Sequence, residues 1–241
     1  MFPGMCNWLQ NRLIASALGA CLLAGLMLLP AVSMAQLSDV PESAPDSAPG
    51  SPDFLAPEDG VEGDNEVLPG LRETLPDNAV ERAKMLDNLY ALLATAEDEQ
   101  AAEKTSKAIM RLWAVSGSDT VTVLMGRALK AMKDKNPKLA LRMLDAVVEQ
   151  APDFAEGWSQ RGHVLYLEGE THRALGDLRR ALALDPNHFR ALSAIAHILR
   201  EYGAKDGALQ AYRKLLEVHP FADGAQKALD ELEREVRGQG I

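Results

Sequence analysis

Two histidines, His163 and His197, have the side chains best suited to metal binding or pH sensing, and they stand 34 residues apart. A shared metal ion would need further ligands, because zinc and related metals usually take three or four from the protein. Both cysteines, Cys6 and Cys21, lie near the N-terminus, far from the histidines. The sequence therefore predicts no metal site, and it favours structural or solvated histidines.

The sequence also lacks the motifs that identify common enzyme classes. It contains no nucleophile elbow, phosphate-binding loop, paired-histidine zinc motif or dinucleotide fingerprint. A hydrolase on a helical scaffold would still need a buried carboxylate or histidine in a deep pocket, and no residue is marked for that role. We expect no catalytic residue, no cofactor and no enzymatic activity.

The interval of 34 residues returns in two further series of a single residue type. The series are Pro152, Pro186 and Pro220, and Ala140, Ala174 and Ala208. A fixed period of this length is typical of stacked helical repeats. The central unit carries the residues Trp158, Gly162, Ala174, Leu178, Ala181 and Pro186 in this order. This order resembles the tetratricopeptide repeat family, and the resemblance implies an all-α solenoid of helical hairpins.

The period divides residues 67–241 into units. We predict a degenerate repeat at 79–118, repeats at 121–154, 155–188 and 189–222, and a capping helix at 223–237. Helices are expected at 79–96, 99–114, 155–167 and 171–184, because apolar residues recur there with helical spacing. Small residues at Gly162 and Ala174 should let the two central helices approach closely. Trp113 should pack under the repeat at 121–154, and Trp158 should lie between helices.

In proteins of this family the first helix of each unit lines a concave groove that binds a partner. The resemblance places eleven candidate contact residues there: Met125, Leu129, Met132, Lys133, Ser159, His163, Tyr166, Leu167, Ser193, His197 and Arg200. Their mixed apolar, polar and charged character suits a protein or peptide. An alternative interpretation is that they form the solvated side of three helices. Met125, Ser159 and Ser193 stand where some members carry carboxylate-binding side chains, so we do not expect capture of a C-terminal carboxylate.

The first 35 residues resemble a secretory signal peptide. A single basic residue, Arg12, precedes the uncharged run 13–29, and the triplet ending at Ala35 has small residues at its first and third places. Two alternatives are an uncleaved membrane anchor and a lipoprotein with its lipid on Cys21. All three predict export, which we interpret as a periplasmic location or, with the anchor kept, attachment to the inner membrane.

Residues 36–66 have the composition of a disordered linker. They hold five prolines and nine acidic residues, with no lysine or arginine. Such a segment cannot bury enough apolar surface to offset its conformational entropy. The linker accounts for most of the net charge of −10, so residues 67–241 are nearly neutral. We therefore expect no nucleic-acid partner, because no basic surface could neutralise several phosphates.

These observations predict an exported, non-enzymatic scaffold or adaptor that binds a protein or peptide in the groove of its repeats. Contact with a membrane is expected only through an uncleaved leader. A narrower alternative is an assembly factor or chaperone for c-type cytochrome biogenesis, or for another complex of the cell envelope. The predicted mature chain has no thiol pair of its own, although such a pair would favour the cytochrome role.

Overall fold

The computed structural model describes residues 78–238. The predicted leader and linker lie outside this range. Within it the chain forms nine α-helices and no β-strand. The helices are α1 Ala79–Ala94, α2 Glu99–Trp113, α3 Asp119–Lys133, α4 Pro137–Gln150, α5 Ala155–Leu167, α6 Thr171–Leu184, α7 Phe189–Glu201, α8 Lys205–Val218 and α9 Ala225–Gly238. Their pairing into successive hairpins confirms the predicted all-α solenoid.

The turns inside the three main hairpins keep the sequence period. After α5, Gly169 adopts a left-handed φ of 79°. Its N–H donates to the Tyr166 carbonyl, and the N–H of Glu170 donates to that of Leu165. This is the Schellman arrangement, which ends a helix and satisfies its last carbonyls. Gly203 ends α7 in the same way, one period later.

Lys135 holds the equivalent turn after α3, although it is not a glycine. Its φ is 54°, and it is the only non-glycine residue with positive φ among those described. The N–H of Asn136 donates to the Ala131 carbonyl, so the turn has the same hydrogen bonds as its glycine counterparts. A side chain in this region costs free energy because Cβ crowds the backbone. The repeat geometry therefore imposes the turn despite the less suitable residue.

Close packing of α5 on α6 depends on Gly162. A Cβ atom added there would lie 2.9 Å from Cγ of Leu178 and 3.1 Å from the carbonyl oxygen of Ala174. Ala174 and Leu178 are buried, as is Leu165. The predicted close approach of the two helices at Gly162 and Ala174 is therefore present, with leucines filling the space around it.

The α1–α2 hairpin packs in a different place from the other hairpins. Helix α1 lies against α8, which is far from it along the chain. The Trp113 ring at the end of α2 stacks on His188 and also contacts Phe189, at the start of α7. The prediction that Trp113 packs under the repeat at 121–154 was therefore wrong. The aromatic surface at His188 and Phe189 offers a flat partner for the indole.

Helix α9 covers the end of the solenoid. It packs on α8 through Ala225, Ala228, Leu229 and Leu232, which are all buried. Its other face is charged, and Arg213 of α8 donates a hydrogen bond to Glu233. Such a two-faced terminal helix is what a repeat array needs, because it hides the last apolar surface from water. No helix between residues 78 and 238 has the length and apolar character needed to cross a bilayer.

Candidate protein-binding surface

The predicted groove residues differ widely in exposure. Met125, Ser159 and Tyr166 are each only 6% exposed, so their side chains offer little surface to a partner. The Tyr166 hydroxyl donates a hydrogen bond to Glu201 of α7. Burial and this contact raise the pKa of Tyr166, so the hydroxyl remains protonated at neutral pH. Tyr166 therefore links α5 to α7 within the fold.

Helix α3 keeps the most open part of the predicted groove. Leu129 is 38% exposed, Met132 is half-buried and Lys133 is exposed. These residues are three and four positions apart, so they follow one face of the helix. We call Leu129, Met132 and Lys133 the α3 face. It combines an apolar centre with a cationic end, which can bury apolar surface and contact a carboxylate.

His163 marks the predicted groove on α5. Its Nε2 atom is buried and has no hydrogen-bond partner among the described residues. Burial lowers the pKa of His163 to about 4, and the nearby charge of Arg190 acts in the same direction. The ring is therefore neutral at physiological pH. Leu167, one turn further along α5, is half-buried.

The candidates on α7 are already engaged in contacts within the fold. Arg200 donates a hydrogen bond of 2.8 Å to Glu231 of α9. The His197 ring meets the Tyr212 ring edge-on, with centroids 6.0 Å apart. Burial and the charge of Arg200 lower the pKa of His197 to about 4. Ser193 is half-buried. The α7 part of the predicted groove therefore offers less free polar capacity than the α3 face.

The two histidines do not join a larger cluster of metal-binding residues. Among residues 78–238, no group of three or more histidine, cysteine, aspartate or glutamate side chains is placed to hold a metal ion. Each histidine instead has neighbours that disfavour a positive charge, namely Arg190 beside His163 and Arg200 beside His197.

A buried polar site that was not predicted from the sequence surrounds His188, whose side chain is fully buried. Its Nδ1 accepts a hydrogen bond from the backbone N–H of Ala191 and thereby caps α7. Because Nδ1 uses its lone pair, the ring proton must be on Nε2, which lies 2.9 Å from Oε2 of Glu156. Burial opposes ionisation of Glu156, but the His188 hydrogen bond and the Arg190 charge lower its pKa overall.

Asp185 completes this site on the opposite side. Its Oδ2 atom accepts hydrogen bonds from the Tyr90 hydroxyl and from Nε1–H of Trp113, the latter 3.2 Å long. Burial and the Asp185 carboxylate raise the pKa of Tyr90, so the hydroxyl remains a donor. In the sequence, this site could have been recognised because two of its residues depart from the repeat pattern. One unit earlier or later, His188 is replaced by phenylalanine or alanine, and Asp185 by alanine or histidine.

Arg161 and Trp158 form a second polar cluster, on α5. The Arg161 guanidinium makes two hydrogen bonds to Asp177, of 2.6 and 2.9 Å, and a third of 3.0 Å to Asp145. It also lies over the Trp158 ring, 4.9 Å from its centroid. Trp158 is only half-buried and donates its N–H to the Pro152 carbonyl. Trp158 is therefore only partly enclosed between helices, because its indole packs under the Arg161 side chain.

Comparison with known proteins supports the repeat assignment. A model of the tetratricopeptide repeat matches residues 155–188. A TPR repeat-containing protein of Rhizobium etli is 32% identical over 153 residues, which are 64% of this chain and 75% of the relative. A small glutamine-rich tetratricopeptide repeat-containing protein of Saccharomyces cerevisiae is 28% identical over 100 residues, 42% of this chain and 28% of that protein.

Solved structures of the same repeat type were also found. The first TPR of Spaghetti (RPAP3), bound to an HSP90 peptide, has a TM-score of 0.47 and 18% identity, covering 50% of this chain and 98% of the other. MamA has a TM-score of 0.46 and 22% identity, covering 57% and 84%. The assignment itself rests on the 34-residue period and on the Rhizobium relative, which is matched over three quarters of its length. The chain belongs to the tetratricopeptide repeat family.

Proposed function

We propose that this chain is an exported protein-interaction scaffold that binds a partner protein or peptide through the α3 face. The observation that carries the proposal is the exposure of Leu129 on a helix whose family position lines the groove. Protein-binding surfaces combine a buried apolar centre with a polar rim. Leu129 and Met132 supply the apolar centre, and Lys133 supplies part of the polar rim.

The family assignment supports a binding role rather than catalysis. The repeat is typically a protein-binding module, and the matching family model is not that of an enzyme. The difference between α3 and the later helices also supports the α3 face. Tyr166 and Arg200 are occupied by contacts within the fold, whereas Leu129 and Lys133 remain exposed.

A capture experiment with matched variants tests the α3 face. The full chain is tagged, produced in cells, briefly cross-linked and recovered with its partners. Leu129→Ala together with Lys133→Ala should reduce the captured partner about tenfold, which corresponds to about 1.4 kcal/mol of binding free energy. Val123→Ala is the control, because Val123 is 48% exposed on the same helix but outside the predicted groove positions.

The outcome separates binding from folding. Helix content by circular dichroism should be the same in all three proteins, because Leu129, Lys133 and Val123 are exposed. Equal loss of the partner in the Leu129/Lys133 and Val123 variants would refute the α3 face as the binding site. Tyr166 is unsuitable for this test, because its replacement would also remove the bond to Glu201.

Export is the second part of the proposal, and the composition of residues 1–35 supports it. In a two-membrane bacterium, protease added to spheroplasts should degrade the repeat domain without lysis of the cells. Mass spectrometry of the recovered protein should find Gln36 at its N-terminus if the leader is cut after Ala35. Protection from protease in intact spheroplasts would contradict export.

A further inference from the structure

The α1–α2 hairpin is attached to the repeats at one compact surface on α7, α8 and the turn between α6 and α7. Asp185, His188 and Phe189 form the polar and aromatic part of this surface, and Val218 contributes an apolar wall. We call these four residues the hairpin dock. Helix α1 packs on α8 beside it. The contacts join residues 72 to 95 positions apart in the chain.

Hydrogen bonds within the repeats also fix two residues of the hairpin dock, His188 and Asp185. His188 is fixed on both sides, by the Ala191 N–H and by Glu156. Asp185 uses its Oδ1 atom to accept the backbone N–H of Asn187, which leaves Oδ2 for the hairpin. The dock therefore has a prearranged acceptor and a prearranged flat ring.

The hairpin meets the dock with two aromatic hydrogen-bond donors. The Trp113 ring lies parallel to His188, with centroids 3.9 Å apart and an interplanar angle of 3°. Its N–H donates to Asp185 and, at the same distance of 3.2 Å, to the Tyr90 hydroxyl, which itself donates to Asp185. Hydrogen bonds to a charged acceptor are stronger than neutral ones. The recognised group is therefore an aromatic side chain that stacks and donates at the same time.

The rest of helix α1 packs loosely. Helix α1 buries two of its 16 residues, Tyr90 and Leu93, whereas α7 buries eight of 13. Val80 and Leu92 on α1 are mainly exposed, at 66% and 59%. An open cleft of about 350 Å³ lies between α1 and α8, beside the place where they touch. It is lined by Ala94, Lys214 and Val218 among others. Few apolar contacts and incomplete packing are the features of segments that open locally.

We propose that the hairpin dock is a binding site for a helix bearing an aromatic hydrogen-bond donor, that the α1–α2 hairpin is its resident occupant, and that the hairpin leaves it as one body while α4–α8 stay folded. The dock is separate from the α3 face, so this inference goes beyond the proposed function. If the capture experiment on the α3 face fails, the hydrogen-exchange experiment on the hairpin can still be interpreted, and the reverse is also true.

Hydrogen exchange of the full chain tests whether the hairpin opens as a unit. Tyr90→Phe keeps the ring but removes the donor to Asp185. The variant should exchange the protected amides of α1 and α2 about tenfold faster, by a common factor, and leave those of α4–α8 unchanged. Tyr202→Phe is the matched control, because the Tyr202 hydroxyl bonds Thr171 inside the repeats. It should leave α1–α2 exchange unaltered.

A covalent bridge provides the reverse test. Cysteines are introduced at Ala94 and Glu217, which are both exposed and line opposite walls of the cleft, after Cys6 and Cys21 are changed to serine. A short bismaleimide that joins them should slow α1–α2 exchange about tenfold in the Tyr90→Phe chain. Unchanged exchange in Tyr90→Phe, faster exchange in α1 alone, or a uniform change over all helices would overturn the proposal.

The chemistry of the ligand is tested with a small probe. Trp113→Ala empties the stacking position on His188, and the variant should lose α1–α2 protection. Indole added in millimolar amounts should restore that protection several-fold, because it can stack and donate to Asp185. Indene has nearly the same shape but no N–H, so it should restore less. Equal effects of both probes, no effect of indole, or loss of protection in α4–α8 would contradict the assignment.

Discussion

The α5–α6 hairpin and the α1–α2 hairpin are both pairs of adjacent helices but are held in different ways. In α5–α6, Gly162 and Ala174 allow the helices to approach closely, and the buried Leu178 fills the contact. Gly162 corresponds to Ala128 and Ala196, which are both buried. Two periods before Gly162 stands Ala94, which is the last residue of α1, so the α1–α2 hairpin lies outside the register that the other hairpins share.

The difference shows what repeat stacking requires. Units that keep small and apolar residues at the periodic positions pack on their neighbours in the chain. The α1–α2 unit keeps the helices but has lost that packing, and it is held by Tyr90 and Trp113 at Asp185 and His188. In stacked repeats each interface contributes its own stability term. A unit with an atypical interface can therefore have a stability of its own.

Leucine truncations in the two hairpins should have the largest effects on stability, and the two effects should differ in kind. Leu178→Ala removes a fully buried side chain from the α5–α6 contact and should lower the free energy of unfolding by about 3 kcal/mol. Leu93→Ala removes an equally buried leucine from α1. Its effect should appear mainly in the exchange of α1 and α2 amides. If both variants lower the denaturant midpoint by the same amount, the two hairpins unfold together.

Glycine substitutions test whether the close contact between α5 and α6 requires a residue without a side chain. Gly162→Ala places a Cβ atom against Leu178 and the Ala174 carbonyl, and we expect a loss of about 2 kcal/mol from overpacking. Gly126→Ala is the control on α3, because a Cβ there has no neighbour within 4 Å. It should stabilise the helix by about 0.5–1 kcal/mol. Chemical denaturation measures both, and a tolerated Gly162→Ala would disprove the packing requirement.

Acidification should lower the free energy of unfolding by less than these substitutions do. It should destabilise the repeats rather than the α1–α2 hairpin. The pKa of His163 is about 4 in the fold because of burial, against about 6.5 in an unfolded chain. Between these values the unfolded state binds more protons, so stability is full above pH 6.5 and falls as the pH drops towards 4. From pH 7 to 5.5 the loss should be about 1 kcal/mol for this residue.

The measurement is the free energy of unfolding at both pH values. His163→Gln should reduce the pH dependence by about 1 kcal/mol. His172→Gln is the control for the substitution itself, because His172 is exposed on α6. His197 is expected to contribute in the same direction, since burial also lowers its pKa to about 4. A His163→Gln variant with the wild-type pH dependence would refute this account.

Much of the helical framework could be predicted from local signals. Helices α5 and α6 have the predicted bounds, 155–167 and 171–184, because a left-handed glycine turn and a proline mark their ends. Helices α1 and α2 end one or two residues before the predicted positions. The eleven groove candidates could be named from the family position, but their exposure could not. Burial of Met125, Ser159 and Tyr166 depends on neighbouring helices, as the bond from Tyr166 to Glu201 illustrates.

The period, the turn residues and the apolar spacing determined by themselves that this chain forms helical hairpins of one family, because these signals act within a few residues of each other. Only the tertiary structure decided where the α1–α2 hairpin docks and which groove residues remain open. The dock joins Trp113 and Tyr90 to residues 72 and 95 positions away. Such contacts depend on shape and on hydrogen-bond geometry across distant helices, which no local pattern specifies.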